Sequence, residues 1–294
     1  MPQLTAQFKH KLKQCLCPPG NGVYTVNTAK ERKEQLHQTI FGQTTNIDSL
    51  WESSLDKLSG ASRAVILGVP SDCGGGILRG ANWGPLFIRA TLQYPQLNAF
   101  DLGDIRVIPH LLCDKYLSEE TLARCRKALY SNEKSHYCVS PLSITADILH
   151  DFYTLFSNKG IFGLGGDHSV SYPLTKAYLQ AKKKAGKRTA IIHFDAHTDL
   201  LIERLGIDIC FGSWCAHILA DLPTPAHLIQ IGIRSTAKPK EHWEKTFGVQ
   251  QHWAKEIKEQ GIDKAINNIL TQLALLSVDE LYVTFDIDAI DANY

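Results

Sequence analysis

From residue 64 onward the chain alternates short apolar runs with longer amphipathic stretches. Ala64-Val65-Ile66-Leu67-Gly68-Val69, Ile161-Phe162-Gly163-Leu164, Thr189 to Phe194, His227 to Ile233 and Leu281 to Phe285 are short apolar runs, the pattern of strands covered on both sides. Between them, helical spacing predicts helices at about 118–130, 142–158, 171–184, 213–220, 239–246 and 262–276, with one more opened by Pro85. Strands alternating with helices predict a largely parallel sheet with helices on both faces. Residues 1–60 are polar and weakly periodic, and Cys-Pro-Pro-Gly-Asn-Gly at 17–22 marks a loop. They read as an irregular or partly helical N-terminal extension ahead of one α/β domain at 61–294.

Composition changes this picture little. With 294 residues, 44% of them hydrophobic and 21% charged, the chain can bury a full α/β core. A net charge of +1 gives no field to attract nucleic acid or an anionic membrane, so neither is expected as a partner. The basic run from Lys182 to Arg188 contains Gly186 and reads as cations and a glycine cap at a helix C-terminus. Eight cysteines without a C-x-x-C pair, together with an N-terminus lacking an apolar signal core, point to reduced thiols and a cytoplasmic location. No run of about 18 apolar residues suggests a membrane span.

The chemistry gathers behind the strands. Three apolar runs end in polar strings: "GLGGDHSV" at 163–170, "HFDAHTDL" at 193–200 and "TFDIDAID" at 284–291. In a parallel sheet these ends share one rim, where α/β proteins carry their sites. Asp195, His197 and Asp199 stand at i, i+2 and i+4, which in extended backbone puts them on one side at steps of roughly 6.6 Å. Asp286 and Asp288 repeat the spacing. Four carboxylates brought together repel one another unless cations intervene, and two divalent ions balance Asp195, Asp199, Asp286 and Asp288. Carboxylates with the imidazoles of His168 and His197, and no thiolate, suit Mn²⁺ or another hard to borderline ion better than structural zinc. A pair of such ions activates water, which implies hydrolysis.

Together, "GGDHS", "DAHTD" and "TFDIDAID" resemble the metal-binding strings of the ureohydrolase family, which includes arginase, agmatinase and formimidoylglutamase. The likeness extends through Gly68-Val69-Pro70, "GANWGPLFIR" at 80–89, "DLGD" at 101–104 and "IGIRS" at 231–235, and covers roughly residues 64–294. It implies a three-layer α/β/α sandwich around a mainly parallel, eight-stranded sheet. It further implies two Mn²⁺ per chain, one held by His168, Asp195, Asp199 and Asp286 and the other by Asp195, His197, Asp286 and Asp288. The reaction it implies is attack of a metal-bridging hydroxide on the planar carbon of a linear amidine, a guanidino or formimino compound, with loss of urea or formamide. Trimers or hexamers are the implied assemblies.

Two departures from the family pattern carry weight. The arginase and agmatinase branches place a histidine before a glycine some fourteen or fifteen residues after the metal-binding histidine, where this chain has Phe211-Gly212. His217 lies nearby and reads as a packing or surface residue. Formimidoylglutamases also lack the histidine, so Phe211 weakens the arginine and agmatine readings relative to theirs. The string Asp291-Ala292-Asn293-Tyr294 carries Ala292 in place of the usual proline, and the expectation is a domain lacking its C-terminal last strands. A catalytically silent metal-binding protein of this fold and a binuclear phosphoesterase are the competing readings. The stretch 105–160 is longer than its agmatinase counterpart and reads as a cover for the site mouth or an interface, or as surface elaboration.

Overall fold

The computed structural model describes residues 4–23, 29–76 and 79–290, so Asp291 to Tyr294, including Ala292, lie outside the described residues. The chain divides into two compact units, Met1–Ala177 and Tyr178–Tyr294.

In the first unit the N-terminal residues are more ordered than their weak periodicity suggests. Helix α1 (Ala6–Cys15) is capped by Thr5, whose side chain accepts the Phe8 amide, and it buries Phe8, Leu12 and Cys15. Strand β1 (Leu16–Cys17), helix α2 (Lys30–Phe41) and helix α3 (Ile47–Ser54) follow, and the Trp51 indole of α3 donates to the Leu102 carbonyl at 3.0 Å. Strand β2 (Ala64–Val69), helix α4 (Gly84–Thr91) opened by Pro85, and strand β3 (Ala99–Ile105) come next. Helices α5 (Glu119–Tyr130) and α6 (Pro141–Leu155) and strand β4 (Gly160–Gly165) lead to α7 (Ser171–Lys184), inside which the division falls. The sheet order is β1-β3-β2-β4, parallel except for the β1–β3 pair. The long stretch before β4 carries a small apolar cluster of its own, Leu111, Leu122 and Val139.

Two family strings turn out to be structural in this unit. Arg89, fully buried, forks onto Asp101 at 2.8 and 3.0 Å and also pairs with Asp104, which in turn accepts the Gly20 and Gly22 amides. Burial raises the Asp104 carboxyl pKa against the opposing pull of Arg89. Gly68 is required here, because a Cβ would sit 1.9 Å from the Asp104 carboxylate.

In the second unit the Lys-rich end of α7 is closed by Gly186 at φ +70, as the glycine and cations predict, with Lys187 N donating to Lys182 O. Strands β5 (Thr189–Phe194) and β6 (Leu228–Ile233), helix α8 (Lys240–Phe247), strand β7 (Gln250–Trp253), helices α9 (Ala254–Gln260) and α10 (Ile262–Leu275), and strand β8 (Glu280–Phe285) complete it. All pairs in the order β7-β6-β5-β8 are parallel.

The α/β class and mainly parallel pairing hold, with four described strands in the sheet of each unit. Two elements differ from expectation. Residues 216–221 form a 3-10 segment after tight turns instead of an α-helix, and Trp214, Cys215 and Ile218 are fully buried. Strands β1, β3 and β7 escape the apolar-run criterion because they are short or carry Asp, Gln and His.

Candidate metal centre

Adjacent parallel strands bring two of the three polar strings together. In the β5–β8 pair His193 lies opposite Thr284 and Phe194 opposite Phe285, so Asp195 and Asp286 leave neighbouring strand ends. The Asp286 amide donates to Phe194 O at 2.9 Å and the Asp195 amide to Ile231 O at 3.1 Å, extending the ladder one residue past each strand.

Beyond Phe194 the extended backbone assumed for Asp195, His197 and Asp199 stops. Ala196 and His197 form a bend, and Asp199 takes φ +50, a left-handed conformation that Asp tolerates better than most residues. The three side chains therefore do not share one face. Asp195 is 1% exposed and the His197 side chain 50%. The loop instead creates two clusters around Asp195. Asp195, His197 and Asp288 offer ligand-type atoms within 4.8 Å of one another, and so do His193, Asp195 and Asp199.

Backbone amides hold these carboxylates in place. Asp195 Oδ1 accepts the His197 amide at 2.7 Å, Asp288 Oδ1 accepts the Ala196 amide at 3.1 Å, and Asp286 Oδ1 accepts the Asp288 amide at 3.0 Å. The Trp214 indole donates to Asp199 Oδ2 at 2.8 Å. Arg234 clamps the turn from the carbonyl side, donating to the carbonyls of Asp288, Ala289 and Ile290. Burial, together with the charges of Asp286 and Asp195, pushes the Asp288 carboxyl above its ordinary pKa, while the Ala196 amide pulls the other way. The donor set fits a hard or borderline divalent ion.

His168 belongs to the first unit, where it opens the short 3-10 turn after β4. The turn is capped by buried Asp167, which accepts the Ser169 amide at 2.8 Å and the Gly74 amide at 3.0 Å. Gly166 is needed there because a Cβ would meet the Ser71 carbonyl oxygen at 1.8 Å. Phe211 lies under the Arg204 guanidinium, 5.1 Å from ring centroid to Cζ. His217 donates through Nε2 to the Ile202 carbonyl at 2.8 Å, in keeping with a structural role.

Sequence reasoning missed His193, Gln230 and Trp214. The first had a signal: His193 stands two residues before Asp195, extending the i, i+2 series backwards into the strand.

A family model described as the arginase family matches residues 62–294. The chain belongs to the arginase family. A formimidoylglutamase from Halalkalibacterium halodurans is 29% identical over 208 residues, 69% of this chain and 55% of the relative. An agmatinase from Bacillus subtilis is 34% identical over 147 residues, 49% of this chain and 46% of the relative. The chain thus spans about half the length of these curated relatives. Among solved structures, the Bacillus subtilis arginase superposes with a TM-score of 0.58 at 22% identity, over 78% of this chain and 76% of that one, a likeness of fold. Among the described residues no helix is long and apolar enough to cross a membrane.

Proposed function

We propose that this arginase-family chain is a binuclear manganese hydrolase that cleaves a C–N bond of a linear amidine. The observation that carries the reading is the convergence of Asp195, His197 and Asp288 within 4.8 Å at the ends of two adjacent parallel strands. His168, Asp195, His197, Asp199, Asp286 and Asp288 are the proposed ligands. When bound, a divalent pair lowers the pKa of water and supplies hydroxide near neutral pH.

The chain's own residues do the remaining work. Asp195 is common to both clusters and is held by the His197 amide, so its carboxylate is oriented before any cation arrives. Arg234 and the Ala196 amide fix the position of Asp288. Phe211, covered by Arg204, has no proton to exchange, so the site lacks a polar partner for the leaving amine at that position. This favours formiminoglutamate-like amidines over arginine and agmatine. The substrate is a small molecule, and a homo-oligomer and a cytoplasmic location complete the proposal.

Phe211 also favours a second reading, a silent metal-binding member of the family. A screen for urea, formamide and phosphate release in the presence of Mn²⁺ separates the two. Formamide or urea supports the hydrolase; stoichiometric Mn²⁺ binding with no product supports the silent reading, and phosphate release contradicts both.

A further inference from the structure

A row of buried polar side chains crosses the second unit's sheet at one register. His193 on β5 lies opposite Gln230 on β6, and Gln230 lies opposite Gln251 on β7. His193 and Gln230 are 0% exposed and Gln251 is 2%. Polar groups this deep are costly unless each finds a partner. Here they find one another.

The direction of every hydrogen bond in the row follows from its two ends. The Trp253 indole N–H can only donate, and it lies 2.9 Å from Gln251 Oε1. The amide nitrogen of Gln251 therefore faces Gln230, donating to its Oε1 at 2.7 Å. The Gln230 nitrogen is then turned to the other side. A second, independent constraint agrees: that nitrogen lies 2.6 Å from the Thr198 carbonyl, which can only accept. Gln230 also reaches His193 Nδ1 at 3.0 Å, so Nδ1 accepts and the ring proton sits on Nε2. His193 Nε2 lies 2.9 Å from Asp195 Oδ2 and donates to it. The edge of the Trp214 ring system packs on the same imidazole, with centroids 5.2 Å apart at 76°, and the Trp214 indole N–H holds Asp199.

We infer that Trp253, Gln251, Gln230 and His193 form a relay that fixes the Nε2–H tautomer of His193 and thereby positions Asp195 for the metal centre. Both imidazole nitrogens are engaged, one by Gln230 and one by Asp195, so His193 acts as a positioning residue and not as a ligand, although it stands within 4.8 Å of Asp195 and Asp199. Asp195 Oδ2 accepts a hydrogen bond from His193 Nε2–H and Oδ1 accepts one from the His197 amide, which sets the plane of the carboxylate shared by both clusters. Outer partners of metal-binding carboxylates typically change metal affinity about 10- to 100-fold when removed. The positioning role rests on the metal-centre reading; the tautomer does not.

Two measurements test the relay. In metal-free protein labelled with ¹⁵N-histidine, the ring nitrogens of His193, assigned by their loss in His193→Gln, are expected to report the Nε2–H tautomer. Gln230→Met is expected to leave His193 in a mixture of tautomers. In Mn²⁺ titrations followed by calorimetry, His193→Leu is expected to bind about 10- to 100-fold more weakly. His193→Gln, whose side-chain N–H can still reach Asp195, should recover most of that loss. An Nδ1–H tautomer in the wild type overturns the relay without reference to metal. Wild-type Mn²⁺ affinity in His193→Leu overturns the positioning role alone. Wild-type protein that binds no Mn²⁺ overturns the metal-centre reading, and the positioning role falls with it.

Discussion

The Nδ1 of His197 lies 3.1 Å from Asp288 Oδ2, joining the loop after β5 to the turn after β8. Neither partner is held by the other alone: Asp288 also accepts the Ala196 amide, and His197 donates its own amide to Asp195. The proposed ligands His197 and Asp288 would therefore meet a cation from positions already fixed by backbone hydrogen bonds.

Removing the shared carboxylate should therefore abolish binding. Asp195→Asn keeps the shape but halves the donor capacity and removes a charge. Metal analysis after Mn²⁺ loading and desalting should give two ions per wild-type chain and at most a trace in the variant. An unchanged metal content would place the ions elsewhere.

Asp288 gives the pH dependence its sign. Its folded pKa is raised, chiefly by burial and by the charges of Asp286 and Asp195. A carboxyl raised in the folded state makes metal-free protein less stable as pH rises from the ordinary carboxylate range through the raised value, because the unfolded chain releases its proton first. Asp288→Asn should accordingly raise Tm in chelator at pH 7, and the gain should vanish at a pH below both values. With Mn²⁺ present the order should invert, since an ion that binds only the folded state stabilises it by mass action. Melting curves with chelator and with Mn²⁺ at two pH values decide the point.

Arg89 shows how much of a family string is scaffold. Its guanidinium is 0% exposed and serves both Asp101 and Asp104. Replacing one partner of such a buried network leaves uncompensated charge and costs about 3–5 kcal/mol. Arg89→Met should lower unfolding stability by that amount in urea, and a loss below about 1 kcal/mol would show that water or another cation compensates.

The pattern of the chain made the α/β class and five of the strands legible because buried parallel strands are continuous apolar runs. β3 and β7 were not legible, since the burial of Asp101 and Asp104 depends on partners such as Arg89, and that of Gln251 on partners such as Gln230, which no apolar run reveals. Asp195 and Asp288 could be read as candidate ligands from their place behind strands. Their actual grouping could not, because it depends on the bend at Ala196 and the left-handed turn at Asp199. His193 was hidden for a simpler reason: it sits inside a strand, where a histidine ordinarily only packs.

Phe211 predicts substrate preference. A positioned proton donor is worth about 10²- to 10⁴-fold in rate where the leaving group needs one. Wild-type kcat/KM should rank formiminoglutamate above agmatine and arginine, and Phe211→His should raise the rate on the guanidino substrates by about 10²-fold, the low end of that range. If arginine is the best substrate of the wild type and the histidine variant gains nothing, the role assigned to Phe211 is wrong.

Metal-dependent cleavage of an amidine C–N bond is tested by following product release as Mn²⁺ is titrated into metal-free protein. Formamide or urea formation from formiminoglutamate, agmatine and arginine should rise with added Mn²⁺ and reach a plateau near two equivalents per chain. Protein that binds two Mn²⁺ and releases neither product from any of the three would contradict the account.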